Sequence, residues 1–193
     1  MSDGQPKSPK KCSKVETKGA TVSESKRIEK TFFACRLAYM MAREETALLY
    51  VHLNPTLGLD STLRIRDRIG RSFLLPLDRY SFVVQRKVQP FKQTLQDALK
   101  QGDAWPMIDS YLELIRRRSE KGICNTDQLL SKNFGFENGR ALEIDFGNYV
   151  YAPENKKIEF HRFAEKMRSF LKKREPESLP EYDRKVESIS AVL

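Results

Sequence analysis

Asn138-Gly139 separates two short runs rich in aromatic and aliphatic residues, Asn133 to Glu137 and Arg140 to Ile144. A two-residue type I′ turn needs positive φ at both central positions, which Asn and Gly adopt at least cost, so this dipeptide between apolar runs specifies a β-hairpin. A hairpin returns its ends to one edge. Asn133 and Asp145, at its two ends, are thereby brought together, and Asp127, in a loop after a long helical stretch, leads to the same edge. An amide oxygen and a carboxylate converging on one point suit Mg²⁺, which takes oxygen ligands and leaves the rest of its shell to water and substrate phosphates.

The flanking patterns predict α+β architecture. Phe33, Leu37, Met40, Met41, Glu44 and Leu48 fall at spacings of three and four, which predicts a helix from Thr31 to about Thr46. Leu48 to Leu53 reads as a strand stopped by Asn54-Pro55. Leu63 and Ile65 alternate with Arg64 and Arg66, and Phe73, Leu75 and Leu77 repeat the period after Gly70, predicting a hairpin with one buried face. Ser81 to Val88 is a further strand ended by Pro90. Helical periods follow in Phe91, Leu95, Ala98 and Leu99, and in Trp105, Ile108, Leu112 and Ile115. The second of these helices closes on Arg116-Arg117-Arg118, a run that suits the negative end of a helix dipole. Ile123 to Lys132 reads as irregular, and a last helix covers about Lys156 to Arg174, with Phe160, Phe163, Met167 and Leu171 on one face. Residues 175–193 are expected to fray. His52 and His161 read as a half-exposed strand residue and a solvent-facing helix residue, and Trp105 and the phenylalanines as core.

The order of loop aspartate, asparagine, hairpin and Asp145-Phe146-Gly147 resembles the large lobe of the protein-kinase-like superfamily. The resemblance extends over residues 31 to 174. It implies an incomplete protein-kinase-like fold: a helix C and small antiparallel sheet, then a helical lobe with a β-hairpin. It makes Asp127 the catalytic base, Asn133 and Asp145 the metal ligands, Glu44 (or Glu45) the helix C glutamate, and Gln85 to Pro90 the hinge, with Gln85 beside the nucleotide. The implied cofactors are Mg²⁺ and ATP. The segment Glu44 to Thr56 also resembles uncharacterised kinase-like proteins of obligate intracellular bacteria.

Several departures from the family pattern argue against an efficient phosphotransferase. The nine glycines form no Gly-x-Gly-x-x-Gly, and no lysine lies in an apolar strand ahead of the first helix, so the groups that cover and orient phosphates are lacking. Asn125-Thr126-Asp127 stands in place of His-Arg-Asp, and Asp127 and Asn133 are six apart where five is usual. Ala152-Pro153-Glu154 lies too close to Gly147 to enclose an activation segment. The expectation is a pseudokinase-type protein that binds Mg-nucleotide weakly.

Composition frames a competing reading. The 193 residues carry 35 Lys+Arg against 26 Asp+Glu, net +9, and residues 1–30 alone contribute 8 − 4 = +4 with no aromatic side chain. Such a segment buries too little apolar surface to offset its ordering entropy, so a basic disordered tail is expected over residues 1–30. It suits an acidic protein or nucleic-acid partner, making a noncatalytic interaction protein the alternative. A leucine-rich first helix without strands to cover it would call for a protein partner or dimer. No run is long and apolar enough for a membrane span. Cys12, Cys35 and Cys124 are odd in number and widely spaced, which suits reduced thiols in a cytoplasm, with export into a host as the other location considered.

Overall fold

The structure, a computed structural model, describes residues 22–193. Helix α1 spans Val22–Met41 and therefore begins nine residues before the position expected from the apolar stripe. The expected disordered tail is thus helical from residue 22, and its remainder lies outside the described residues. Only part of the predicted stripe is buried: Leu37 is, with Ala34, Cys35 and Ala38, whereas Phe33 is 53% and Met40 80% exposed. The small alanine side chains let α1 approach the strands at Leu48–His52 and Tyr149–Tyr151 closely, so the buried face is rotated toward them. The helix breaks at Ala42, a separate turn α2 (Arg43–Thr46) follows, and Ala47 closes it in the left-handed region at φ 54°.

Strand β1 (Leu48–His52) pairs antiparallel with β4 (Phe82–Gln85), leaving a bulge between Leu48 and Tyr50. Between them, β2 (Thr62–Arg66) and β3 (Ser72–Pro76) form the expected hairpin, with Leu63 opposite Leu75 and Ile65 opposite Phe73. Its expected buried face is not buried. Every residue of β2 is exposed, because the ribbon pairs only with itself in a sheet of two strands. The strand expected over Ser81 to Val88 is split: β4 ends at Gln85, and β5 (Gln89–Pro90) joins a different sheet.

Helices α3 (Phe91–Gln101) and α4 (Trp105–Glu120) occur where their apolar periods place them. The stretch expected to be irregular contains strand β6 (Ile123–Asn125) and the turn α5 (Leu130–Asn133), both too short to show a period. The hairpin β7 (Phe134–Glu137) and β8 (Arg140–Glu143) turns through Asn138 at φ 52° and Gly139 at φ 78°, the double positive φ its sequence demands. Strand β5 pairs with β7 and extends the hairpin to three strands; β6 pairs antiparallel with β9 (Tyr149–Tyr151). Gly135 is required in β7, since a Cβ there would lie 2.6 Å from the Gln89 carbonyl oxygen and 2.3 Å from Val88 Cγ2.

Helices α6 (Lys156–Lys172) and α7 (Leu179–Val192) complete the chain. The end expected to fray is thus mostly helix, anchored by Tyr182, which is fully buried and donates to the Ala164 carbonyl at 2.8 Å. One apolar core unites α3, α4, α6, α7 and the β7–β8 hairpin around Phe91, Tyr111, Phe134, Phe136, Phe163 and Met167. A smaller one joins α1 to β1 through Ala34, Leu37, Ala38 and Leu48, and it receives Ile123, Phe146 and Tyr149. The candidate site lies on the chain between the residues that feed these two cores.

Candidate functional site

The hairpin closes as its turn requires. The Asn133 carbonyl accepts from the Ile144 amide at 2.6 Å and the Asp145 amide at 3.4 Å, so the two ends meet at the backbone. Asn133 is buried, and its amide Nδ2 donates to the Asp127 carbonyl at 3.2 Å, tying the loop to the hairpin. Its Oδ1 is buried with no hydrogen-bond partner. Asp145 is exposed, and its Oδ1 accepts only the Gly147 amide, at 3.3 Å. Asp127 is half-buried, with Oδ1 accepting the Leu129 amide at 3.1 Å as in an Asx turn. All three polar residues expected at this edge are therefore brought to it.

Glu44 and Gln85 are not. Glu44 sits on α2, is 73% exposed at the side chain, and faces Arg117 at 3.8 Å and Arg140 at 3.7 Å, at the turn end of the hairpin. It is placed there because α1 ends before it. The neighbouring Glu45 is buried and paired with Lys121 Nζ at 2.8 Å. Gln85 donates from Nε2 to the Thr46 carbonyl at 2.9 Å, bracing the turn into β1.

An ionic cluster under the edge was not foreseen from sequence. Arg118 on α4 is fully buried and donates to both oxygens of Glu143, at 2.7 and 2.6 Å, and to Glu159 at 2.6 Å. Burial opposes its charge, yet Glu143 and Glu159 outweigh that cost and raise its pKa. Arg162 donates to the second oxygen of Glu159, giving two cations against two carboxylates. The Tyr149 hydroxyl donates to Glu143 at 2.6 Å; burial, reinforced by that carboxylate, pushes the phenol well above its ordinary value and keeps it a donor.

Asn125 connects the cluster to the edge. Its backbone amide donates to Glu159 at 2.8 Å, and its Nδ2 donates to Glu143 at 2.7 Å and to the Asp145 carbonyl at 3.0 Å. Its Oδ1 accepts from the Asp127 amide at 2.9 Å. One side chain thus holds the backbones of both aspartates. The available signal was Glu143, a charge directly after Ala141 and Leu142 in an apolar run, a position a carboxylate occupies in a core only when paired.

No protein-family model matches the chain, and no curated protein matches it. The site is therefore judged on its own chemistry. A groove of about 430 Å³ runs beside it between α1 and β9, lined by Glu29, Lys30, Phe33, Thr126, Gly147 and Tyr149 among others. Among the described residues no three His, Cys, Asp or Glu side chains gather as a metal site, so a cation here would take Asn133 Oδ1 and an Asp145 oxygen and fill its shell with water or phosphate.

Proposed function

We propose that the chain is a kinase-like protein of the pseudokinase type, with an incomplete small lobe, that holds Mg-nucleotide weakly at the Asn133–Asp145 edge. The observation that carries this reading is the Oδ1 of Asn133, a buried acceptor without a partner on a residue whose backbone carbonyl accepts from the amide of the exposed Asp145. Leaving such an atom unpaired costs about 1–3 kcal/mol. A cation held by this oxygen and by Asp145 would remove that cost, and an amide oxygen with a carboxylate is a donor set that suits Mg²⁺. The order of elements supports the same reading: β6, a loop with Asp127, the turn α5 ending at Asn133, the β7–β8 hairpin, Asp145-Phe146-Gly147, then β9 returning to β6.

In this reading a bound Mg²⁺ would supply charge neutralisation at the nucleotide phosphates. Asn133 and Asp145 hold it, and Asn125 fixes the backbone that presents Asp145. Asp127 points its backbone into the site and spends its carboxylate on the turn at Leu129, a poor arrangement for a catalytic base. With no Gly-x-Gly-x-x-Gly in the sequence and no strand lysine among the described residues to orient the phosphates, phosphotransfer is negligible beside binding.

The test is a thermal-shift titration with ATP and ADP, with and without Mg²⁺, on the natural chain and on Asp145→Asn. Ligand at about ten times Kd stabilises by about 1.4 kcal/mol, worth about 3–6 °C for a chain of this length. A Mg²⁺-dependent shift that Asp145→Asn abolishes is the expected result. No shift, or the same shift in the variant, overturns the reading.

A further inference from the structure

The β2–β3 ribbon stands apart from both cores, and its side chains sort by face. Leu63, Ile65, Phe73 and Leu75 share one face, where Leu63, Ile65 and Phe73 are 49%, 40% and 42% exposed. Arg64 and Arg66 occupy the other face with Leu74, which is 63% exposed, and the tip presents Arg68, Ile69 and Arg71, with Ile69 75% exposed. Between Thr62 and Pro76 there are four arginines and one acid, Asp67, a local charge of 4 − 1 = +3. Asp67 is occupied within the tip, accepting from the Ile69 and Arg71 amides at 3.0 and 2.9 Å and from Arg71 Nε at 2.7 Å. The ribbon's base is fixed as well, since Asp78 accepts from Thr56 Oγ1 and from the Leu59 and Asp60 amides at 3.1 and 3.0 Å.

A two-stranded ribbon with an uncovered apolar face is marginal in water, and it gains most from an occupant that takes the aliphatic groups and the arginines together. Nucleic acid answers the arginines and gives Leu63, Ile65 and Leu74 nothing to bury against. A second copy of the ribbon answers the apolar face and leaves Arg64 and Arg66, on the opposite face, with nothing to pair with. An anionic lipid surface answers both: acyl chains below the headgroups receive the apolar side chains, and arginines reach phosphates and carboxylates from their long stems. We propose that the β2–β3 ribbon is a peripheral membrane arm that lays Leu63, Ile65 and Phe73 into the interface of an anionic bilayer, with Arg64, Arg66 and Arg68 on its headgroups. This inference is independent of the nucleotide reading.

The experiment is co-sedimentation of the full chain with vesicles of phosphatidylcholine and phosphatidylserine in equal parts, and with phosphatidylcholine alone. The expected result is partition onto the anionic vesicles only. An arginine near such a surface contributes about a fivefold factor, so Arg64→Gln/Arg66→Gln weakens partition roughly 30-fold. Ile65→Ser/Phe73→Ser weakens it at least about tenfold by removing buried apolar groups. Both pairs are exposed, and an unchanged melting temperature shows that the fold persists. In a Phe73→Trp chain the emission of the new indole moves to the blue on anionic vesicles. Absence of binding, equal binding to neutral vesicles, or binding that both double variants retain because residues 1–21 carry it overturns the proposal. So does a dimer in solution that Ile65→Ser/Phe73→Ser dissolves.

Discussion

Asn125 and Arg118 show how single residues build the edge that other residues would use. Arg118 is surrounded by Glu143, Glu159 and the faces of Phe163 and Tyr149, with its Cζ 4.3 Å from the Phe163 ring centre. Removing one member of such a buried set leaves uncompensated charge. Arg118→Leu, which leaves the buried Glu143 without a cation while Glu159 keeps Arg162, is expected to cost about 3–5 kcal/mol in urea unfolding. Gly135→Ala is expected to cost about 1–3 kcal/mol by the same measurement, since its methyl would meet the Gln89 carbonyl, which is backbone and cannot turn aside. Asp78 allows a statement about pH. Its carboxyl is held below the ordinary value, first by the Thr56 hydroxyl and then by backbone amides. A depressed folded-state value means that the stabilisation is fully present above the unfolded aspartate value of about 3.9 and is lost as pH falls through the lower folded value. Amide exchange at Leu59 and Asp60 is therefore expected to be protected at neutral pH and to lose that protection, relative to intrinsic rates, in acid.

At the scale of elements, legibility followed the length and clarity of the signal. The β7–β8 hairpin, α3, α4 and α6 carry either a turn with unique φ demands or several turns of apolar period, and each lies where its pattern places it. β6 and α5 are three and four residues long and owe their form to their neighbours, so their own residues carried no pattern. The first helix was misread in face and in start because Phe33 and Met40 outweigh alanine in any apolar count, while packing here selects Ala34 and Ala38. Glu44 was misplaced for the same reason, since a helix assumed continuous to Thr46 would carry it inward. Asn133, Asp127 and Asp145 were legible because a hairpin fixes its ends; Asn125 was not, because its role depends on carboxylates from β8 and α6. Tyr182 was missed although α7 carries an apolar period, Leu179, Tyr182, Val186 and Ile189, that packs on the larger core, because the Pro- and Glu-containing stretch before it reads as a frayed end. Tyr182→Ala is expected to cost about 3–5 kcal/mol, read as a lower urea midpoint.

For the whole molecule, two cores meet where the loop and the hairpin exchange backbone hydrogen bonds. Phe146 and Tyr149 enter the core under α1, whereas Phe134 and Phe136 enter the core of α4 and α6. Asp145 lies between those anchors, so its position depends on both. Among the described residues no helix is long and apolar enough to cross a membrane. Residues 62–76 contribute 4 − 1 = +3 of the chain's +9, on a ribbon that forms its own sheet and enters neither core. The most direct measurement of the central claim uses Mn²⁺ in place of Mg²⁺. Paramagnetic broadening of backbone amides, recorded with Mn²⁺ and ADP together, is expected to be strongest at Asn133, Ile144, Asp145 and Phe146 and to vanish in Asp145→Asn. Broadening centred elsewhere, or unchanged in that variant, would contradict a nucleotide-metal site on this edge.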